Sequence, residues 1–299
     1  MLARLLVGIS LTALVGWFDV AQAATPPAGA QNVTVSPTQL SLEAPPGQTI
    51  TGCVTVINDG ATAYDFKAYA APYRVSGEGY DQSFELLPGR PDVAKWISAG
   101  AGTYHATPHQ NVAVPYALKI PAGTKGGGYY AVLFYETIPQ LTGGSGVESK
   151  TRIGVVAYIK VTGDVVEKGQ VASFAASGVQ YQAPITATLR LANSGNVHYP
   201  ADIHFVASDM FGRPKATIHV AREVLPDTIR RFDMRWEGAP ALGLFRLGGT
   251  VDLLGHTESL PVRYVLIVTP QAGMMAAAGA IFLMLLVVGL LWWRRRLRG

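Results

Sequence analysis

Six histidines and a single cysteine are the residues best suited to catalysis or metal binding, and their spacing withholds most of that chemistry. His105, His109, His198, His204, His219 and His256 form no HExxH pair and no Cys/His ligand spacing. His204 and His219 fall inside two strand-like runs. Pairing across a hairpin could bring them near each other, but core or surface histidines are the simpler reading. There is no G-x-S-x-G elbow and no Ser-x-x-Lys motif in a helical setting. Gly126-Gly127-Gly128 leads into a strand rather than a helix. It therefore lacks the helix N-terminus that a phosphate cradle needs and reads as a flexible turn. Glu78, Asp81, Glu85 and Asp209 lack the dense alternation of oxygen ligands that a calcium loop requires. The pattern predicts a protein that is not an enzyme and uses no metal or cofactor.

Cys53 is the only cysteine, so an intrachain disulfide is excluded and each domain must fold on its own apolar core. Along residues 49–57, period two puts Ile50, Val54 and Val56 on one face and Thr49, Thr51, Cys53 and Thr55 on the other. Cys53 is read as a small residue packed under a neighbouring loop, with an accessible thiol as the alternative. Recognition chemistry falls to aromatics. Tyr73, Tyr80, Phe84, Trp96 and Tyr104 concentrate in or beside residues 76–105, the least regular stretch of the chain. Exposed, they would suit sugar faces or a protein partner; packed, they would form a satellite core under that loop. They are the candidate ligand-binding residues.

Such residues need elements to hold them, and the C-terminal end says where those elements sit. Residues 273–293 read GMMAAAGAIFLMLLVVGLLWW, which as a helix spans roughly 31 Å, enough for a bilayer core. Trp292 and Trp293 belong at the head groups. Arg294, Arg295, Arg296 and Arg298 mark the cytoplasmic side. At the other end, residues 1–23 carry Arg4, an apolar run over 5–17 and the triplet Ala21-Gln22-Ala23, the pattern of a cleaved secretory signal. Together they predict a single-pass cell-membrane protein, its ectodomain extracytoplasmic and residues 294–299 cytoplasmic. The lipid bilayer is then one partner. The formal charge of +4 belongs to the anchor, because basic and acidic residues balance once signal and tail are set aside. That balance argues against nucleic-acid binding.

Between signal and anchor the chain alternates strand-like runs with turns. Runs over 34–42, 48–58, 64–75, 111–120, 128–136 and 152–161 are separated by turn formers such as Pro45-Pro46-Gly47, Asn58-Asp59-Gly60 and Pro121-Ala122-Gly123. Seven further runs follow between 165 and 268. A short helix is expected at 92–97, and 141–146 reads as a hairpin tip. The fold expected is all-β: two tandem immunoglobulin-like β-sandwiches, 24–162 and 163–270, followed by one transmembrane α-helix over 273–293. The halves echo each other where a hydrophobic strand ends in Asn58-Asp59-Gly60 and in Asn193-Ser194-Gly195, each able to make a tight turn.

The order of parts, with Val35-Ser36-Pro37, Pro46-Gly47-Gln48, Gly128-Tyr129-Tyr130-Ala131, the strand over 152–158, Asn193-Ser194-Gly195-Asn196-Val197-His198, Phe211-Gly212 and Leu225-Pro226, resembles the WxL-interacting proteins of bacterial cell surfaces. The resemblance implies a first domain that contacts peptidoglycan and a second that binds partner surface proteins, a binding and scaffold role. The same opening pattern resembles the periplasmic pilus chaperones, two-domain proteins that complete a subunit's sheet by strand addition. Those chaperones are soluble, and the apolar span at 273–293 sets this chain apart from them. The alternative expectation is therefore a membrane-tethered assembly chaperone for an exported or pilus-like subunit.

Overall fold

The computed structural model describes residues 32–139 and 150–296. The signal segment 1–23, the hairpin tip 141–146 and Arg298 lie outside the described residues. Alternating burial along the runs gives nineteen strands among the described residues. The first half holds β1 (Val33–Ser36), β2 (Gln39–Ala44), β3 (Thr49–Asn58), β4 (Tyr64–Pro72), β5 (Arg74–Ser76), β6 (Asp81–Ser83), β7 (Ile97–Ala99), β8 (Thr103–Ala106), β9 (Asn111–Lys119), β10 (Gly127–Ile138) and β11 (Arg152–Val161). The second holds β12 (Gly169–Ala176), β13 (Val179–Gln180), β14 (Ile185–Asn193), β15 (Tyr199–Asp209), β16 (Pro214–Val224), β17 (Thr228–Trp236), β18 (Leu242–Leu253) and β19 (His256–Val268). One turn of 3-10 helix covers Val93–Trp96, and α1 covers Pro270–Arg296.

Each half is built on two sheets packed face to face, and in the first half β5 and β6 form a separate two-stranded hairpin. In the first, the order β1-β3-β9-β7 faces β2-β11-β10-β4-β8; in the second, β12-β14-β17 faces β13-β19-β18-β15-β16. The inward residues make one core per half. Val54, Val114 and Leu118 meet Phe66, Leu133 and Ile159 in the first. Leu189, Leu191 and Met234 meet Ile203, Phe205 and Val265 in the second. Burying each such side chain contributes roughly 1.5–3 kcal/mol, which lets both halves fold without a disulfide.

The run read as one strand over 34–42 is two. Pro37 has no N–H to donate to a ladder, and the chain changes sheets there. β1 pairs with β3 in one sheet, and β2 runs parallel to β11 in the other. The segment 76–105, read as irregular, contains β6, β7 and β8. Cys53, read as packed under a loop, is exposed, because it sits on the outer face of β3 and nothing among the described residues covers it there.

Asn58 and Asn193 make the same buried brace at the end of corresponding strands. The Asn58 amide donates to the carbonyls of Thr62 (2.9 Å), Ala106 (3.2 Å) and Thr107 (3.0 Å), and its oxygen accepts the Gly60 N–H at 3.0 Å. The Asn193 amide donates to Val197 and Val224, both at 2.8 Å, and its oxygen accepts the Gly195 N–H at 2.9 Å. Both asparagines are buried, so each satisfies carbonyls that water cannot reach.

α1 is long and apolar enough to cross a membrane. Its most apolar 18-residue window has a mean hydropathy of 2.6, and none of that window is buried against the rest of the chain. Trp292 and Trp293 are exposed near its C-terminal end, as are Arg294 and Arg295. Arg296 closes the helix.

Candidate binding site: the domain junction and an open strand edge

The outer face of the β10–β11 sheet has an apolar centre flanked by Glu136, Arg152 and Lys160, and this decides where the loop residues go. Val132, Phe134 and Tyr158 point away from the first core and are buried with Tyr73, Tyr80 and Leu225 in a third cluster, which Phe84 flanks. The β5–β6 hairpin folds over this face and reaches the second domain. Phe84 meets Phe134 edge-on at 4.9 Å between ring centroids, and the Arg152 guanidinium lies 4.5 Å from the Phe134 centroid.

Tyr80 is the hairpin's contact with the second domain. It is held at φ 61°, a left-handed conformation that costs a residue with a Cβ about 1 kcal/mol. Its hydroxyl accepts the Leu225 N–H at 2.8 Å and donates to Thr228 Oγ1 at 2.5 Å, while Thr228 donates on to the Leu225 carbonyl at 2.7 Å. Arg230 lies 4.3 Å from the Tyr80 ring centroid. Beside it, the Arg231 N–H donates to the Glu78 carbonyl at 2.8 Å. Arg190 makes a two-pronged pair with the Glu78 carboxylate, one prong at 2.8 Å, and this hydrogen bonding holds that carboxyl below its ordinary range. Burial pushes the Glu223 carboxyl up, against the opposing pull of Arg230.

A second set of contacts lies at the start of β10. The Tyr130 hydroxyl is 3.2 Å from His198 Nδ1 and accepts the His198 N–H at 3.1 Å. The Tyr158 ring centroid is 5.3 Å from the imidazole. Burial, with Lys160 nearby, lowers the His198 pKa to about 4, so the imidazole is neutral. Gly126-Gly127-Gly128, read as a flexible turn, is a place of close approach instead. The Gly128 N–H donates to the Asn196 carbonyl at 2.8 Å. A Cβ on Gly126 would come within 2.6 Å of the Asp164 nitrogen. The Asn196 side chain ties the junction together, donating to Asp164 and accepting from Val166.

Between the domains lies a cavity of about 340 Å³, lined by Tyr73, Arg74, Leu86, Leu87, Arg90 and Pro226 among others. Leu86 and Leu87 are exposed at its mouth. Towards the opposite end of β11 from the cavity, the sheet is left open. β10 pairs with β11 over its whole length, from Arg152 to Val161, whereas β2 covers only Val156 to Val161. Among the described residues nothing pairs with 152–155 on that side, so the backbone groups there that point away from β10 lack ladder partners.

The five aromatics named as ligand-binding residues are therefore divided between two packing sites. Tyr73, Tyr80 and Phe84 are in the junction. Trp96 packs against Tyr129 at 4.9 Å, and Tyr104 stacks on Phe66 at 5.3 Å, both against the first core. No exposed aromatic surface joins them. Their common cause is the apolar outer face of β10 and β11, which has to be covered. Three of the four acidic residues weighed for calcium are engaged in ion pairs: Glu78 by Arg190, Asp209 by Lys215 at 3.3 Å, and Glu85 beside Arg74 at 3.9 Å. Sequence reasoning missed the Tyr80–Leu225, Tyr130–His198 and Glu78–Arg190 contacts, which join residues far apart in the chain. The available signal was the unbroken apolar run at 129–135, which suits a strand buried on both faces.

No protein-family model matches the chain, and no curated protein does. Solved structures do. A Salmonella enterica SafA pilin complex with the SafB chaperone aligns at 7% identity and a TM-score of 0.40, covering 79% of this chain and 96% of that one. The class 5 fimbriae chaperone CfaA aligns at 12% identity and a TM-score of 0.39, covering 79% and 99%. The CsuC–CsuE chaperone–tip adhesion subunit pre-assembly complex from Csu pili of Acinetobacter baumannii aligns at 14% identity and a TM-score of 0.38, covering 78% and 98%. Likeness at these scores leaves the function to be read from the chain's own residues.

Proposed function

We propose that this chain is a membrane-tethered, extracytoplasmic protein-binding module that holds an exported subunit by strand addition, in the manner of an assembly chaperone. The observation that carries the reading is the half-covered edge of β11, where β2 stops at the partner of Val156 and residues 152–155 have no ladder partner on that side among the described residues. An extended segment added there would gain main-chain hydrogen bonds, and the two flanking sheets would present pockets for its alternate side chains. The apolar ledge of Leu86 and Leu87 and the cations Arg74 and Arg90 beside the cavity offer a second contact for the same guest. Two immunoglobulin-like sandwiches locked together at the Tyr80 and Tyr130 contacts make a preorganised receiver, which lowers the cost of binding. α1 would keep it at the membrane, with the sandwiches on the outer side.

The five aromatics singled out as candidates for contact with peptidoglycan or surface proteins, the role implied by the WxL-interacting resemblance, are packed, so they give that role no surface. Strand addition is therefore the stronger reading. It is tested by placing a photoreactive side chain at Arg152, which is exposed, and at Thr217 on the remote edge strand β16 as a control. The expected result is one dominant adduct with an exported protein from position 152 and none from 217. Equal adducts from both positions, or none from either, would sink the reading.

A further inference from the structure

We infer that Asp202, His204 and His219 form a binding site for a divalent transition-metal ion of the zinc type on the outer face of the second domain. The inference rests on register and does not depend on strand addition. His204 on β15 and His219 on β16 are directly opposite in the antiparallel ladder. Their imidazoles are 4.6 Å apart between centroids and within 16° of parallel. Asp202 is two residues before His204, so its side chain leaves the sheet on the same face. Its Oδ1 is 3.3 Å from His204 Nε2 and 2.5 Å from His219 Nε2. Three donor atoms, one from each residue, lie within 4.8 Å of one another.

Two imidazole nitrogens and one carboxylate oxygen are the donor set of zinc sites that keep an open position for water. Ligands at the usual zinc distances, in tetrahedral geometry, sit roughly 3.4 Å apart. The His204–Asp202 separation already matches, and the His219–Asp202 separation must open by under about 1 Å, which rotation of half-exposed side chains supplies. The donor set disfavours calcium and magnesium, which take oxygen ligands. A second observation points the same way. Asp252 on β18 is the register partner of Asp202 on its other side, so two carboxylates face each other across the ladder, an unfavourable pairing. Thr257 donates to Asp252, but a hydroxyl does not cancel its charge. A cation at the histidines would.

A site across β15 and β16 would also cross-link the edge strand β16 to the sheet, so the ion should stabilise the fold by mass action. The test uses the full chain in detergent micelles without a polyhistidine tag, titrated with Zn²⁺ against a chromophoric chelator. One Zn²⁺ per chain is expected. His219→Ala and Asp202→Asn should each weaken it at least about tenfold, the cost of losing even a group that orients a ligand. His256→Ala and His105→Ala should leave it unchanged. Zn²⁺ but not Mg²⁺ should raise the unfolding temperature of the parent chain, and His219→Ala should abolish that rise. Zn²⁺ bound equally well by His219→Ala, or no binding by the parent chain, overturns the proposal.

Discussion

The hydroxyl of Tyr80, in the hairpin of the first domain, accepts the backbone N–H of Leu225 in the second at 2.8 Å, across 145 residues of chain. Leu225 is buried, so water does not compete for its N–H. The hydrogen bond continues through Thr228 and returns to the Leu225 carbonyl, closing a small ring of donors and acceptors. The tyrosine thus fixes both the position and the rotation of the second domain at that turn. The proposed strand-adding role would need the two domains held in one arrangement, and this contact would supply part of that rigidity.

Tyr80→Phe should keep the ring packing and remove the hydroxyl, leaving the Leu225 N–H without an acceptor. The expected loss is about 1–3 kcal/mol in denaturant unfolding of the full chain. Tyr80→Phe matching the parent would mean that the ring acts by packing alone.

Gly126→Ala gives opposite signs for the two roles a glycine could have here. A flexible turn would be stabilised by about 0.4–1 kcal/mol through the unfolded chain. A close approach to Gly163 and Asp164, as the 2.6 Å Cβ contact describes, would be destabilised by about 1–3 kcal/mol. Destabilisation is the expected outcome, read by thermal unfolding.

The parts legible in the chain were those set by local pattern. Period-two alternation located most strands, turn residues located their ends, and the apolar run at 273–293 falls within α1. The echo of Asn58 and Asn193 was visible as a pair of turns, but their buried amides bond carbonyls up to 49 residues away, which no local signal encodes. The aromatic set is legible as a cluster, but the sequence leaves open whether its rings are exposed or packed. Exposure of Tyr73 and Tyr80 depends on what covers the outer face of β10, and that cover comes from another part of the chain. The strands allow His204 and His219 to meet across a hairpin without requiring it; their proximity and the third donor, Asp202, follow only once the register is known.

His198 gives the junction a pH dependence with a definite sign. Its pKa is lowered to about 4 by burial and by Lys160, against about 6.5 in the unfolded chain. Between these values the unfolded state binds a proton that the folded state does not, so stability falls as pH drops from about 6.5 to about 4. The loss is at most about 3 kcal/mol, from the 1.36 kcal/mol carried by each pKa unit. Glu223 contributes with the opposite sign, because burial raises its pKa. The measurement is therefore a difference: unfolding of the parent chain minus that of His198→Gln from pH 7 to 4. The difference should shrink as pH falls. A constant difference would show that His198 is already solvated.

Asn193→Ala tests whether the repeated asparagine braces carry the sandwiches or merely decorate their turns. Removing the amide strips donors from the Val197 and Val224 carbonyls and an acceptor from the Gly195 N–H. Each buried group left unpaired costs about 1–3 kcal/mol, and Gly195 has no room to move, because a Cβ there would already clash with the Val166 carbonyl at 2.2 Å. A total loss of about 3 kcal/mol or more is expected. Asn58→Ala should lose a similar amount, since its amide serves the same role in the first domain. Asn111→Ala, at an exposed strand start, should change stability by less than about 0.5 kcal/mol. If Asn193→Ala and Asn111→Ala unfolded alike in denaturant, the brace would be no more than turn geometry. A large loss in both Asn58→Ala and Asn193→Ala would show that the two sandwiches are closed by the same residue at the same place.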